Sequence, residues 1–425
     1  MNFNINKSEQ LFDLLSRLSD FDYVVNHVDD FTAQSRNDLP IESTYLFTGL
    51  PSLVVLFGEL NKIFPDKKFN LIAHSYMKKT MEVINSKGID NLSLAVGMCG
   101  IAFAIQSLKG ETSNYSNLQF SINSYILDGC RQILEKGTNF FELLNEEKYD
   151  LMFGLVGIIN YMLLFSDNII IENITKSLLS LLINLVKDKG IAGFSVYLSN
   201  SSLPQHSKVG KYINLGISHG IAAFLILLIK SFKSGIILNY HEEIIDKISS
   251  WLIEQKRYDN SKFLFWPSAI YFDCEDNEYY RDAWCYGTPG VAYSLLLAGE
   301  FLKNNRIIKI AIEGMKHSLI RQRSIISPTF CQGWAGLYYL SKKFYFYTHE
   351  KYFKEANNII KNNILSFYNT KNPFGFKNIE YINGNKRSFN NINLLSGVSG
   401  VLLTIFANID SIESGVWEKI FLMDA

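Results

Sequence analysis

Seven polar or reactive side chains lie beside short glycine-containing motifs, although they are spread over nearly half of the chain. They are Asp150, His219, Arg281, Cys285, Tyr286, Cys331 and Gln332. Two cysteine thiolates can bind zinc, and a histidine exchanges protons near neutral pH. The chemistry of the set therefore depends on whether the fold brings these residues together.

Each of these residues also has an ordinary structural interpretation. On spacing alone, Cys285 and Cys331 fit core packing better than a metal site, because they are 46 positions apart without a CxxC motif. His219 is equally compatible with a local hydrogen bond, and Asp150 with a helix cap. Arg281 has Asp282 as a neighbouring partner. That all of them fall beside motifs of four consecutive repeats favours a shared site.

The motif itself is a pair of small residues three positions apart, followed by an apolar run. Its seven copies begin at Gly49, Gly97, Gly154, Gly220, Gly287, Gly333 and Gly397, with Ser52 and Ala223 as the second small residue in copies one and four. Positions i and i+3 share one face of a helix, so small residues there permit close backbone approach. Seven such helix starts are expected to converge around one centre.

Apolar runs after the motifs alternate with amphipathic segments such as 242–257 and 351–368. Helices that are apolar all round are buried, whereas amphipathic helices have one wet face. The alternation predicts an all-α fold, an α/α toroid of seven inner and seven outer helices in a single domain spanning 1–425. Segments 190–213, 258–280 and 371–393 mix aromatic and turn residues, and are predicted to form short strands or ordered loops over one end of the ring.

Composition narrows the classes of partner. The chain has 425 residues, with 41 basic and 41 acidic side chains, so no basic surface for nucleic acid is expected. No stretch was found that approaches the roughly 18 apolar residues of a membrane span, and the N-terminus does not resemble a secretory signal. A cytoplasmic location without direct membrane insertion is predicted, in which the five cysteines stay reduced.

Several stretches resemble the lanthionine synthetase C-like cyclase family. They are Tyr149–Asp150 before GLVG, NLGISHGIA at 214–222, RDAWCYGTPG at 281–290, CQGWAG at 331–336 and LLSGVSG at 394–400. The resemblance covers essentially the whole chain, and it implies an α/α toroid in agreement with the repeat count. It also implies a zinc enzyme that closes thioether rings in a ribosomal peptide, by addition of cysteine thiols to dehydrated serine and threonine residues.

The resemblance assigns roles to individual residues. Cys285 and Cys331 would hold Zn²⁺, which deprotonates the thiol of the substrate. His219 would protonate the α carbon after addition, and Asp150 would orient that transfer. Arg281 and Tyr286 would stabilise the enolate.

Gln332 departs from the family pattern, because the residue after the second cysteine is usually a histidine that completes a Cys-Cys-His site. Three explanations stay open: weak ligation by Gln332, completion of the site by another group such as His219 or water, or low zinc occupancy. The leading hypothesis is a lanthipeptide cyclase. The alternative is a weak or inactive homologue that serves as a peptide-binding scaffold. An α/α-toroid glycosidase ranks last, because it would give the two cysteines no purpose.

The expected partners follow from the same resemblance. They are a dehydrated precursor peptide with its leader, a lanthipeptide dehydratase and an export transporter complex, which could recruit the protein to the inner face of the membrane.

Overall fold

The structure is a computed structural model that describes residues 5–33, 35, 38–109, 114–142, 144–198, 210–272, 281–406 and 415–425. The helices are α1 Ile5–Ser19, α2 Phe21–His27, α3 Pro51–Ile63, α4 Phe69–Lys87, α5 Met98–Lys109, α6 Ser116–Lys136, α7 Leu155–Met162, α8 Ile169–Lys189, α9 Ile221–Lys233, α10 His241–Glu254, α11 Thr288–Phe301, α12 Asn305–Arg321, α13 Trp334–Thr348, α14 Lys351–Ser366, α15 Val398–Phe406 and α16 Val416–Ile420. The strands are β1 Val196–Tyr197, β2 Lys211–Asn214, β3 Arg257–Tyr258, β4 Leu264–Phe265, β5 Ala269–Phe272, β6 Asn378–Ile382 and β7 Asn385–Phe389.

The seven helices that follow the glycine motifs form a closed inner ring. Each of α3, α5, α7, α9, α11, α13 and α15 contacts the next, and α15 contacts α3. Their sequences explain the position: in α9, for example, every residue from 221 to 231 is buried, because apolar side chains surround the helix. The predicted inner ring of an α/α toroid is confirmed.

Outer helices follow six of the inner ones along the chain and pack against them: α4, α6, α8, α10, α12 and α14. The seventh outer place is taken by α1 from the other end of the sequence. The Leu18 carbonyl accepts a hydrogen bond from Tyr76 on α4, and the Gln10 carbonyl accepts one from Tyr368 after α14. The segments predicted as outer helices at 242–257 and 351–368 correspond to α10 and α14.

Helix α8 corrects one expectation from the sequence. By length and composition it could cross a membrane, with a mean hydropathy of 1.6 over its most apolar window. Half of that window is buried, and the helix packs against α6, α7 and α10 as an outer helix of the ring. This is the usual behaviour of an apolar helix in a packed protein.

Short strands occur in all three segments that were predicted to contain them. Strands β1, β2 and β5 form an antiparallel sheet, β3 pairs with β4, and β6 with β7 forms a hairpin. Residues 199–209 and 273–280 of the first two segments lie outside the described part of the chain.

The small residues of the motifs accommodate the turn that precedes each inner helix. A Cβ added at Gly157, Gly336 or Gly400 would lie within 2.2 Å of the carbonyl oxygen six residues earlier. A side chain from the preceding copy packs on the same glycine: Leu94 on Gly157, Trp284 on Gly336 and Phe330 on Gly400. The glycines therefore serve close packing within and between copies, and do not by themselves form a site.

Residues 415–425 fill the centre of the inner ring. Phe421 is fully buried and packs against Phe47, Trp284 and Phe330, with ring centroids 6.0, 5.2 and 4.3 Å away. Asp424 pairs with Lys230 at 2.7 Å, and Glu418 lies 3.4 Å from Lys343. These buried charges are paired, as burial requires. The segment closes the ring from below the motif turns.

Candidate active site

The turns before the inner helices form the floor of a basin at one end of the ring. The backbones of neighbouring turns are hydrogen-bonded to each other: the Ala95 N–H donates to Met152 O at 2.8 Å, and the Cys331 N–H donates to Leu395 O at 2.8 Å. The residue directly before the motif glycine is partly exposed in all seven copies. These residues are Thr48, Val96, Phe153, His219, Tyr286, Gln332 and Ser396. The turns therefore present one side chain per copy to the basin.

His219 and Asp150 form a hydrogen-bonded pair on this floor. The Nδ1–H of His219 donates to Oδ2 of Asp150 across 2.5 Å. Asp150 is fully buried, while the side chain of His219 is 17% exposed. Because the carboxylate engages Nδ1, Nε2 of the imidazole is left for the basin. The structure brings these two predicted residues together across 69 positions of sequence.

Asp150 also stabilises its own turn. Its Oδ1 accepts hydrogen bonds from the backbone N–H groups of Phe153 at 2.6 Å and Gly154 at 2.9 Å. Helix α7 begins at Leu155, so these bonds cap the turn before the helix. The two oxygens divide the work: Oδ1 holds the backbone, and Oδ2 holds the histidine.

The environment of His219 favours its protonated form. Burial alone would lower the pKa of the imidazole, but the hydrogen bond and charge of Asp150, followed by the charges of Glu146 and Cys285, raise it above its usual value. The ring also stacks on Phe153 and Tyr286, with centroids 6.0 and 6.1 Å away. These contacts fix the imidazole in one orientation and hold a proton on it near neutral pH.

Cys285 and Cys331 lie side by side, two positions before their motif glycines. The Cys285 N–H donates to Cys331 O at 3.4 Å, and their thiols are hydrogen-bonded. Burial would raise the pKa of Cys285, but the bond with Cys331, the charges of Arg281 and His219 and the N–H of Tyr286 lower it. The pair therefore loses its first proton readily, from Cys285.

Arg281 and Gln332 are joined at the edge of the thiol pair. Nη1 of Arg281 donates a hydrogen bond to Oε1 of Gln332. This bond occupies the amide oxygen that would otherwise be the metal-binding atom of Gln332. It also holds the guanidinium beside the two thiols.

Asp282 does not pair with Arg281, and the alternative that these neighbours bind each other is wrong. Asp282 is fully buried and accepts two hydrogen bonds from Arg321, at 2.6 and 3.0 Å, and one from the Arg323 N–H at 2.7 Å. A Cβ at Gly287 would collide with Arg281 O, and its φ of +87° favours glycine. These contacts position the turn that carries Arg281, Cys285 and Tyr286.

Two residues near the site were missed from the sequence. Glu146 is buried and accepts a hydrogen bond from Nδ2 of Asn214 at 2.7 Å, while Oδ1 of Asn214 accepts the Gly216 N–H at 2.9 Å. Asn214 begins the NLGISHGIA stretch and was open to discovery there, whereas nothing around Glu146 marks it. Together they brace the turn before His219 and place a second negative charge near it.

The described residues supply part of a metal site. No group of three or more His, Cys, Asp or Glu side chains within them is arranged to hold a metal ion. The two adjacent thiols fit zinc as ligands, since thiolate sulfur is its preferred donor. Gln332 fits less well, because its oxygen is neutral and bonded to Arg281.

Comparisons with known proteins agree with this geometry. A family model described as "Lanthionine synthetase C-like protein" matches residues 40–422. The nisin biosynthesis protein NisC of Lactococcus lactis subsp. lactis is 25% identical over 418 residues, which cover 94% of each chain. A solved structure of nisin cyclase has a TM-score of 0.74 at 24% identity, and the match covers 90% of this chain and 92% of that one.

Proposed function

The chain belongs to the lanthionine synthetase C-like family, and from that premise we propose that it is a lanthipeptide cyclase. Its substrate is a dehydrated precursor peptide, in which cysteine thiols add to dehydroalanine or dehydrobutyrine and form lanthionine or methyllanthionine rings. The observation that carries the proposal is the His219–Asp150 pair on the same basin floor as the Cys285–Cys331 thiols. The similarity to NisC over nearly the full length supports it.

Zn²⁺ is the proposed cofactor, with Cys285 and Cys331 as its ligands. A bound zinc ion deprotonates a coordinated thiol near neutral pH, and so supplies the sulfur nucleophile. The lowered pKa of Cys285 supports this assignment, because only thiolates bind the ion well. Gln332 or a water molecule would complete the coordination.

His219 is proposed as the acid that completes the addition. The substrate sulfur forms a bond to the β carbon, the π electrons of the alkene move toward the α carbon and the carbonyl oxygen, and the proton of His219 Nε2 moves to the α carbon. The neutral imidazole is then reprotonated by the proton that the next substrate thiol releases. Asp150 is a positioning residue here, since it holds Nδ1 and stabilises the imidazolium.

Arg281 and Tyr286 are proposed to stabilise the enolate formed during addition. Arg281 lies beside the thiols through its bond to Gln332, and Tyr286 stacks on His219. A cation and a phenol in these positions flank the space between the sulfur and the acid. Preorganised donors of this kind act on the charge that develops in the transition state.

A second candidate function is a catalytically weak scaffold that binds the peptide within a biosynthetic complex. The Arg281–Gln332 bond is the observation that favours it, because it removes the third ligand of a Cys-Cys-His zinc site. The dehydratase and export transporter remain proposed partners in either case, and a cytoplasmic location remains a proposal.

Metal content and ring closure together test these functions. We expect the purified wild type and Gln332→His to carry about one zinc per chain, with tighter binding in Gln332→His, and Cys285→Ala to lose it. Wild type incubated with a dehydrated precursor should consume free thiols, as measured by alkylation and mass spectrometry. Absence of zinc together with retention of all free thiols would overturn the cyclase proposal. The scaffold alternative requires, in addition, that wild type still assembles with a dehydratase.

A further inference from the structure

The hairpin of β6 and β7 forms one wall of a groove that the proposed chemistry does not use. The groove has a volume of about 380 Å³ and is lined by Phe367, Asn372, Lys377, Ile379, Lys386, Arg387 and Ser388. Its volume falls in the range of ligand pockets. Three of these seven residues are cationic and none is acidic, although the chain as a whole has no net charge.

The cations of the groove have no ion-pair partner among the described residues. Lys386 and Arg387 are exposed on β7, and Lys377 is partly exposed just before β6. Glu380 is opposite Arg387 in the strand register, but its carboxylate accepts a hydrogen bond from Asn378 instead. A local concentration of unpaired positive charge attracts a ligand of the opposite charge.

The hairpin also offers backbone groups for binding. Strand β7 pairs only with β6, and no further strand joins its other side within the described chain. An extended peptide can add to such an edge through main-chain hydrogen bonds, with alternate side chains entering neighbouring pockets. Phe367 and Ile379 provide apolar contacts in the groove beside the charges.

The groove is mechanically tied to the catalytic floor. The Ile379 N–H donates to Oγ of Ser327 at 3.1 Å, and Oγ of Ser327 donates to Oδ1 of Asn378 at 3.1 Å. Ser327 lies in the turn that leads to Cys331, four positions later. A segment bound on the hairpin is therefore anchored next to the turn that presents a proposed zinc ligand.

We infer that the hairpin groove binds an acidic, extended segment of the peptide substrate, by charge pairing with Lys377, Lys386 and Arg387 and by strand addition to β7. The inference rests on the proposed function for the identity of the ligand as a peptide substrate. Binding in the groove holds the substrate while a different part of it reaches the thiols and His219.

The test uses a short fluorescein-labelled synthetic peptide in which Asp and Glu alternate with Leu and Val. Its binding to the full chain is followed by fluorescence anisotropy. We expect the charge-reversal variant Lys377→Glu, Lys386→Glu, Arg387→Glu to weaken binding by about tenfold or more, and added salt to weaken binding to wild type. The matched control is Lys78→Glu, Lys247→Glu, Lys309→Glu, which reverses three exposed lysines on α4, α10 and α12.

Equal affinity in the two triple variants would overturn the inference, as would equal binding of the same peptide with Lys in place of Asp and Glu. A second measurement locates the peptide: amide hydrogen exchange of 385–389 should slow when it binds, and unchanged exchange there would exclude strand addition. Binding to anionic phosphatidylglycerol vesicles, lost in the groove variant while the peptide does not bind, would assign the groove to a membrane surface and overturn the peptide proposal.

The labelled peptide carries no dehydrated residue or cysteine, so this result is independent of ring closure. If wild type lacks zinc but binds the peptide, the cyclase proposal fails and the groove stands. If wild type closes rings but does not bind the peptide, the groove fails alone. Zinc content of the groove variant checks that its fold is intact.

Discussion

Copies three to six and copies one, two and seven place equivalent residues on one ring, but they use them differently. Directly before the glycine, the first group has Phe153, His219, Tyr286 and Gln332, and the second has Thr48, Val96 and Ser396. The turns in both groups are tied by the same kind of backbone hydrogen bonds. One scaffold therefore carries a reactive arc and an inert arc.

The position four residues before the glycine shows how the reactive arc arose on that scaffold. In the inert arc, Oγ of Ser93 accepts the Val96 N–H, and Oδ1 of Asn393 accepts the Ser396 N–H. Asp150 makes the same kind of bond with one oxygen and holds His219 with the other. The turn needs only an acceptor at this position, whereas the chemistry needs the second, charged oxygen.

The largest difference between the arcs should appear on removal of a thiol. We expect Cys285→Ala to lower the rate of ring closure by about 10³-fold, the several kcal/mol that a Lewis acid supplies, together with loss of zinc. Cys99→Ala is the matched control, since Cys99 is also fully buried but lies in copy two. Its zinc content and rate should stay at the wild-type level, and loss of zinc in Cys99→Ala would contradict the assignment.

The Asp150→Asn variant should separate the two roles of that residue. The amide keeps an oxygen for the N–H groups of Phe153 and Gly154 but loses the charge that stabilises the imidazolium, so we expect a rate loss of about 10²-fold. Ser93→Ala removes a turn acceptor in the inert arc, and should cost about 1 kcal/mol of stability without a change in rate. Rates and thermal unfolding of both variants check this. Equal rates in Asp150→Asn and wild type would remove Asp150 from the mechanism.

Packing should not distinguish the arcs. An added Cβ would lie 2.2 Å from Leu151 O at Gly157 and 2.0 Å from Leu394 O at Gly400, so we expect each alanine variant to lose about 2–4 kcal/mol of stability. The measurement is the midpoint of chemical unfolding. A large loss in one variant and none in the other would show that the scaffold is not shared.

The smallest predicted effect is a pH dependence on the inert side. Asp30 accepts hydrogen bonds from the Ile392 N–H and Asn393 Nδ2, and burial raises its pKa to about 7 from an ordinary 3.8. Because the folded protein then holds a proton that the unfolded chain has lost, stability declines as the pH rises from about 4 to 7 and is level above that. We expect the melting temperature of wild type to fall by about 1–3 °C more than that of Asp30→Asn between pH 5 and pH 8. Parallel curves for the two proteins would contradict this.

The sequence predicted the ring well, because the glycine motif repeats at a spacing that leaves room for two helices and its packing is local. It also placed His219, Cys285, Cys331 and Gln332 on one floor, since all four stand one or two positions before a motif glycine. Their roles as catalytic residues and zinc ligands remain predictions.

Contacts made through the third dimension were not predictable. Arg321 is 39 positions from Asp282, Glu146 is 68 from Asn214, and Asp30 is 363 from Asn393. Such partners have no mark in a single sequence, because they depend on which outer elements happen to lie behind each turn. The bond from Arg281 to Gln332 is of the same kind.

The segment 415–425 gives the ring a fixed order of assembly. Protein synthesis runs from the N-terminus, so every inner helix leaves the ribosome before Phe421, whose ring lies beneath Trp284, Phe330 and Phe47. Until then the apolar undersides of three turns are uncovered, and they present a surface that chaperones or other nascent chains can bind. The basin that carries the thiols is therefore completed only in the last stage of translation of this region, which protects the cell from a reactive floor on a half-made protein.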